Sequence, residues 1–198
     1  MYELSVHNSK LRKSVLQFLK SKQLSFEEAG EIIKINAKSH ERLDAYIAKK
    51  KSYVSYNIIQ TIIKDIVYIQ KALEEDSGCI TYYSMTDVIV LNDSFFLFTN
   101  SKKVFELRDE DIIITSPIDK EDTFLYGELI DATTIPMIFP YKLTYKSLGL
   151  FALKLLIPEN KTLEFNQDLQ ERLYPCGLYW FLKDIFNNDV KNTTLIII

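Results

Sequence analysis

One stretch constrains this chain more than any other. From near Tyr53 the apolar residues Ile58, Ile59, Ile62, Ile63, Ile66, Ile69 and Leu73 recur at helical spacing on more than one face, which predicts a long helix buried on two sides. Glu74, Glu75, Asp76 and Ser77 end it, with Gly78 expected as the left-handed residue after the last turn. A helix of this kind needs other elements wrapped around it. The chain has enough material for that: 198 residues, 47% apolar and 26% charged, describe one domain of ordinary size with a real core.

The segments before and after the helix differ in period. Leu11, Val15, Phe18 and Leu19 mark a first amphipathic helix ending near Gln23. Ser25 and Glu28 stand as a capping box ahead of Phe26, Ala29, Ile32, Ile33 and Ala37, predicting a second helix, and Leu43, Tyr46 and Ile47 carry a third into the basic run Lys49 to Lys51. Residues 1–53 are therefore expected to be a helical N-terminal extension, and 54–198 the main domain. From Cys79 onward β-branched and aromatic runs take over: Ile80 to Tyr83, Val88 to Leu91, Phe95 to Thr99, Val104 to Leu107 and Ile112 to Thr115. Turns are expected at Asn92 to Ser94 and Asn100 to Lys103, and an irregular segment around Pro136 and Pro140. Tyr145 to Leu156, Glu164 to Leu173 and Gly177 to Phe186 read as helices, followed by an apolar tail from Thr193 to Ile198. The fold class expected is mainly α with a small antiparallel β-sheet.

Composition removes several functions. Gly30, Gly78, Gly127, Gly149 and Gly177 are too far apart to write a dinucleotide fingerprint or a phosphate-binding loop. His7, His40, Cys79 and Cys176 are too few and scattered for a zinc site, so no metal and no cofactor is expected. Two cysteines and a start without a basic, then apolar, leader lead us to expect an intracellular protein, and the densest apolar run, Tyr145 to Pro158, is too short and lysine-interrupted to span a bilayer. A net charge of -3 with interleaved signs leaves no electrostatic footprint for nucleic acid. The 12 Tyr and 12 Phe are read as core, with neighbours such as Tyr179, Trp180 and Phe181 forced to face different ways.

The order of elements from the long helix onward resembles the C-terminal lobe of protein kinases. Ile80 to Leu91 stands where kinases write their catalytic loop and following strand, with Asp87 in the place of the metal-binding Asn. Phe124 to Leu129 is similar to the Ala-Pro-Glu segment, with Glu128 in the glutamate's place, and Ser147, Leu148 and Gly149 are similar to the start of the large buried helix. Leu178 to Lys183 and Asn188 to Asn192 are similar to the penultimate helix and its end. The resemblance covers roughly residues 54 to 198 and looks closest to the divergent kinase-like proteins of large DNA viruses, which implies a host cytoplasm or virion location.

The chemistry of that resemblance is degenerate. Phosphoryl transfer needs an Asp to orient the acceptor, an Asn and an Asp for magnesium, a Lys on the phosphates and a glycine-rich cover. Counting back from Asp87, the base position falls on Tyr82, a phenol with a reference pKa of about 10. Where Asp-Phe-Gly should stand the chain reads Thr99, Asn100, Ser101, and the Arg that should pair with Glu128 falls near Thr193. The expected function is a catalytically inactive kinase-like interaction or scaffold protein with a protein partner, no nucleic acid or membrane, and homo-oligomers open. Two rivals stand beside it. One is an unorthodox magnesium-dependent phosphotransferase using Asp87 with Asp93 or Asp111; the other is a structural or virion assembly component.

Overall fold

The computed structural model describes residues 1–50, 54–120, 123–131, 134–159 and 162–195. The architecture is mixed α+β, with six α-helices and three small antiparallel sheets among the described residues. Tyr53, Lys51 and the end of the apolar tail at Ile198 lie outside them.

The first helix, α1 (Ser9–Ser21), starts where Asn8 accepts a hydrogen bond from Leu11 N at 3.0 Å and buries the stripe Leu11, Val15, Phe18 and Leu19. It follows a strand, β1 (Tyr2–Ser5). The second helix expected from the capping box does not form. Residues 26–35 are instead a hairpin, β2 (Phe26–Ala29) and β3 (Ile32–Ile35), turning at Gly30 with φ +61°. Its sheet has the order β1-β3-β2, with Leu4 opposite Ile33 and Glu28 opposite Ile33 on the other side. Ile33 and Ile35 are buried and Ile32 is exposed, a period of two. The Ser25 carbonyl accepts from Asn36 N, and Glu28 pairs with Arg12, so neither capping-box residue caps anything. The extension expected to be helical is therefore part sheet.

Strand β4 (His40–Arg42) leads into α2 (Leu43–Lys49) and then α3 (Tyr56–Glu75), the central helix, capped by Ser55. Asp76 closes α3, and the left-handed residue is Ser77 (φ +54°), not Gly78. Gly78 opens β5 (Gly78–Ile80), where a Cβ would come within 3.2 Å of the Lys10 side chain. Strands β6 (Val88–Leu91) and β7 (Phe95–Phe98) form a hairpin through left-handed Asn92 and Asp93, and β4 pairs with β6 on its outer edge. Strands β8 (Val104–Arg108), β9 (Asp111–Ile114) and β10 (Met137–Pro140) complete a sheet ordered β10-β9-β8-β5. The proline-punctuated segment thus contributes an edge strand, where a missing N–H is tolerated.

Helices α4 (Leu143–Leu156), α5 (Gln167–Leu173) and α6 (Gly177–Asn187) close the molecule. Gly149 explains how α4 and α6 meet: a Cβ there would lie 2.7 Å from Ile185 and 2.9 Å from Phe186. One apolar interior takes side chains from Leu4 to Leu195 with α3 at its middle, and a smaller cluster around Cys79, Tyr82, Phe105 and Ile112 lies under the four-stranded sheet.

Candidate functional site

Three of the four residues singled out by the sequence meet at the junction of two sheets. Asp87 ends a 3-10 turn, Met85–Asp87, whose first N–H groups are served by Ser84 Oγ accepting from Thr86 N at 3.3 Å. Its backbone carbonyl accepts from both Thr99 N (2.9 Å) and Thr99 Oγ1 (3.1 Å), which stitches the turn before β6 to the segment after β7. Asn100 follows directly. Its Nδ2 donates to Asp87 Oδ1 at 2.7 Å while its own Oδ1 caps a second 3-10 turn, Ser101–Lys103, by accepting from Lys102 N.

The end of that second turn supplies a residue the sequence did not disclose. Lys103 Nζ donates to Asp87 Oδ2 at 2.7 Å, with side-chain exposures of 6% and 3% for the two partners, so this is a buried ion pair. The same ammonium sits 4.6 Å from the centroid of the Tyr82 ring. Tyr82 Oη accepts a hydrogen bond from Asp119 N at 3.3 Å. Burial raises the Tyr82 phenol's pKa, reinforced by the Asp119 and Asp87 charges against the hydrogen bond from Asp119, so the hydroxyl stays protonated at neutral pH. The arrangement is a closed polar knot: both oxygens of the carboxylate have donors, and the ammonium has a carboxylate and an aromatic face.

Nothing in the sequence marked Lys103 beyond its place in an expected turn. A lysine beside another lysine reads as solvated, and only the β5–β8 pairing, with Ile80 opposite Val104 and Thr81 N donating to the Lys103 carbonyl, turns its side chain inward.

Glu128 stands apart. It lies exposed in a 3-10 turn, Gly127–Leu129, and makes no ion pair among the described residues. Helix α4 is tied to the end of α6 by Lys146, a buried lysine that donates to the carbonyls of Ile185 (2.7 Å) and Asn188 (2.8 Å). Burial lowers the Lys146 pKa, while the charges of Asp189 and Asp184 oppose that.

The remaining candidates are structural. Among the described residues no group of three His, Cys, Asp or Glu side chains converges to hold a metal. His7 meets Glu31 at 2.7 Å on the exposed surface and His40 stacks near Tyr2. Cys79 is fully enclosed between Gln70 and Thr144, and burial pushes its thiol up to about 12. Asp93 accepts from Ser39 Oγ at a marginal 3.5 Å in the β6–β7 turn, and Asp111 begins β9, exposed. Lys49 pairs with Glu41 and Lys50 lies over the Tyr46 ring, so the described part of the basic run finishes α2. Of the Tyr179, Trp180 and Phe181 trio, Phe181 is buried and Trp180 is exposed. No helix among the described residues is long and apolar enough to cross a membrane. The chain matches no protein-family model and no curated protein.

Proposed function

We propose that this chain is a catalytically inactive, kinase-like interaction protein whose former metal position is held by its own lysine. The observation that carries the reading is the Lys103–Asp87–Asn100 knot. In the resemblance, Asp87 takes the place of the metal-binding Asn and Asn100 falls in the stretch of the magnesium-binding Asp. Here an ammonium lies against both the carboxylate and the Tyr82 ring, in the neighbourhood a divalent cation would need. The donor set does not fit a magnesium-bound nucleotide. Asp87 has both oxygens engaged, Asn100 contributes a neutral amide whose oxygen is used by Lys102 N, and Tyr82 cannot act as a base.

Other features support the same reading. The order on which the resemblance rests, a central helix, Gly, strand, polar loop, strand, tight turn, strand, extended loop and hydrophobic core helix, is compatible with α3, Gly78, β5, the β6–β7 hairpin and α4 in that order. The segment ahead of α3 holds a three-stranded sheet, the strand β4 that joins another sheet, and the helices α1 and α2, without the five-stranded lobe with its lysine and helix that phosphate binding uses. Helix α1, which lies between β1 and β2 in sequence, reads SKLRKSVLQFLKS and has no acidic residue to pair with such a lysine.

Thermal unfolding with and without Mg-ATP tests the proposal, because a ligand that binds only the folded state must raise the midpoint. The expected result is no shift for the native chain. An upward shift, or phosphate transfer to the chain itself or to a generic substrate, overturns it and returns the phosphotransferase reading.

A further inference from the structure

The polar knot faces inward, and an interaction protein needs a surface. Helices α1 and α3 run side by side in opposite directions: Lys13 meets Asp76 and Lys10 meets the Ser77 carbonyl at one end, while Phe18 meets Tyr68 and Lys22 meets Asp65 toward the other. Between them lies an open groove of about 740 Å³. Lys20 of α1 and Lys22 just past its end line it on one side, and Lys64, Tyr68, Lys71 and Glu75 of α3 on the other. Lys64, Tyr68 and Lys71 fall at i, i+4 and i+7, which places them in one stripe along α3.

What separates these lysines from the others on the same helices is their lack of partners. Lys10 and Lys13 are engaged, and Lys22 is held at 2.6 Å by the buried carboxylate of Asp65. Lys20, Lys64 and Lys71 have no ion pair or hydrogen bond among the described residues. Among the described residues the groove therefore sets four lysines against the one lining carboxylate of Glu75, with the charges of Asp65 felt by Lys64 and of Glu74 by Lys71, which leaves an excess of positive charge in a chain whose net charge is -3. Its floor is apolar, made by Val67 and Ala72 beside the Tyr68 ring, which is 41% exposed although Phe18 fixes it edge-on at 6.0 Å.

We propose that this groove docks an acidic, amphipathic polypeptide segment of a partner protein. Charge complementarity selects the sign. The chemistry of the lining selects the class. Lysines are separate point charges without the planar fork that grips one phosphate, and no arginine is among the described residues that line the groove, so carboxylates spread along a chain suit it better than a single phosphate group. An apolar side chain of the same segment would cover Tyr68 and Ala72, where an aromatic anchor surrounded by lysine stems gives the buried centre and charged rim of a small interface. A polynucleotide would need the basic surface to continue beyond the groove and a row of aromatics for its bases, whereas Tyr68 is the single aromatic lining it among the described residues. The inference stands on α1 and α3 and does not depend on the kinase-like reading.

Fluorescence anisotropy with a labelled peptide built from Glu-Glu-Leu repeats tests it directly. The expected result is saturable binding that weakens as salt rises through roughly 0.15 M, where exposed charges are screened beyond about 8 Å. Lys64→Glu with Lys71→Glu should weaken it by about tenfold or more, Lys64→Gln with Lys71→Gln by less, and Tyr68→Ala should reduce binding at the higher salt. Lys183→Glu, on α6, should leave it unchanged. Circular dichroism of each variant shows that the fold is kept. No binding, binding indifferent to the α3 substitutions, or displacement of the peptide by an oligouridylate of equal length would overturn the proposal, the last by reassigning the groove to single-stranded nucleic acid. A Tm shift with Mg-ATP would leave it standing, so the two readings fail separately.

Discussion

Two aspartates among the described residues are almost completely buried and each is met by a lysine, yet the pairs are built differently. Asp65 lies on α3 beneath the β6–β7 hairpin, where Oδ2 accepts from Phe96 N at 3.0 Å and Oδ1 meets Lys22 at 2.6 Å. Lys22 keeps 27% of its side chain in solvent at the edge of the α1–α3 groove. Asp87 is met by Lys103, which is itself buried, and by the Asn100 amide. In the first pair water can replace the ammonium if it is lost. In the second it cannot. A buried carboxylate with a wet partner is a fixture of packing, whereas one with a dry partner ties two turns and two sheets into a single unit.

The contrast can be broken most directly at Lys103. Lys103→Met should cost about 3–5 kcal/mol, because it leaves Asp87 buried and short of its counter-charge. Lys103→Met combined with Asp87→Leu should recover a good part of that loss. Urea unfolding of both variants checks this, and a double variant no more stable than the single one would mean that the pair is not what holds the turns together.

Lys22→Met should cost less, about 1–2 kcal/mol, since water reaches the vacated position and Phe96 N still serves Asp65. Equal losses at Lys22 and Lys103 in the same urea series would erase the distinction between them. The wet pair also has a pH signature. Burial holds the Asp65 carboxyl above the usual carboxylate range, against the opposing effects of Lys22 and Phe96 N, so the native state binds that proton more tightly than the unfolded chain does. Its contribution to stability is complete below the unfolded pKa and is lost as pH rises through the native one. Asp65→Asn should therefore flatten the fall in stability with rising pH above about 4, and Lys22→Met should steepen it, read as urea midpoints across a pH series. Glu74, raised by the same cause, keeps a slope of its own in both variants.

The smallest effect is expected at Glu128. An exposed glutamate without an ion pair among the described residues can be made Glu128→Gln with a change of less than about 0.5 kcal/mol in the same assay. A loss of several kcal/mol would show a buried pairing of the kind the resemblance implied and would put Lys146 in doubt as the residue that joins α4 to α6.

How far the chain could be read in advance depended on whether a segment's own pattern outweighed its neighbours. The span from Tyr56 to Glu75 is long, and its apolar residues fit only the helical period, so α3 is where the pattern puts it. The stretch from Phe26 to Ile35 is short and rich in isoleucine, and its apolar positions satisfy periods of both 3.6 and 2. The Ser25 and Glu28 signal favoured the helix, but β1 offered a partner whose hydrogen bonds and burial of Ile33 and Ile35 were worth more than a cap. Tyr82, Asp87 and Asn100 stand out in the sequence only as degenerate positions of the resemblance, while the same comparison leaves Glu128 without its arginine, in keeping with the exposed place it takes in the fold.

Sequence alone determined the helices whose length and period left no rival, the hairpin at Asn92 and Asp93, and the absence of glycine-rich phosphate loops anywhere in the chain. Only the tertiary structure decided which charged side chains lie inside. Lys103 and Lys146 look, in one dimension, like any other surface lysine, while Lys64 and Lys71 lie within an apolar helix and end on an open groove. The reason is physical: a lysine's local preference is the same wherever it stands, and the electrostatic environment that decides its role is supplied by residues distant in the chain, which only folding brings within a few ångströms.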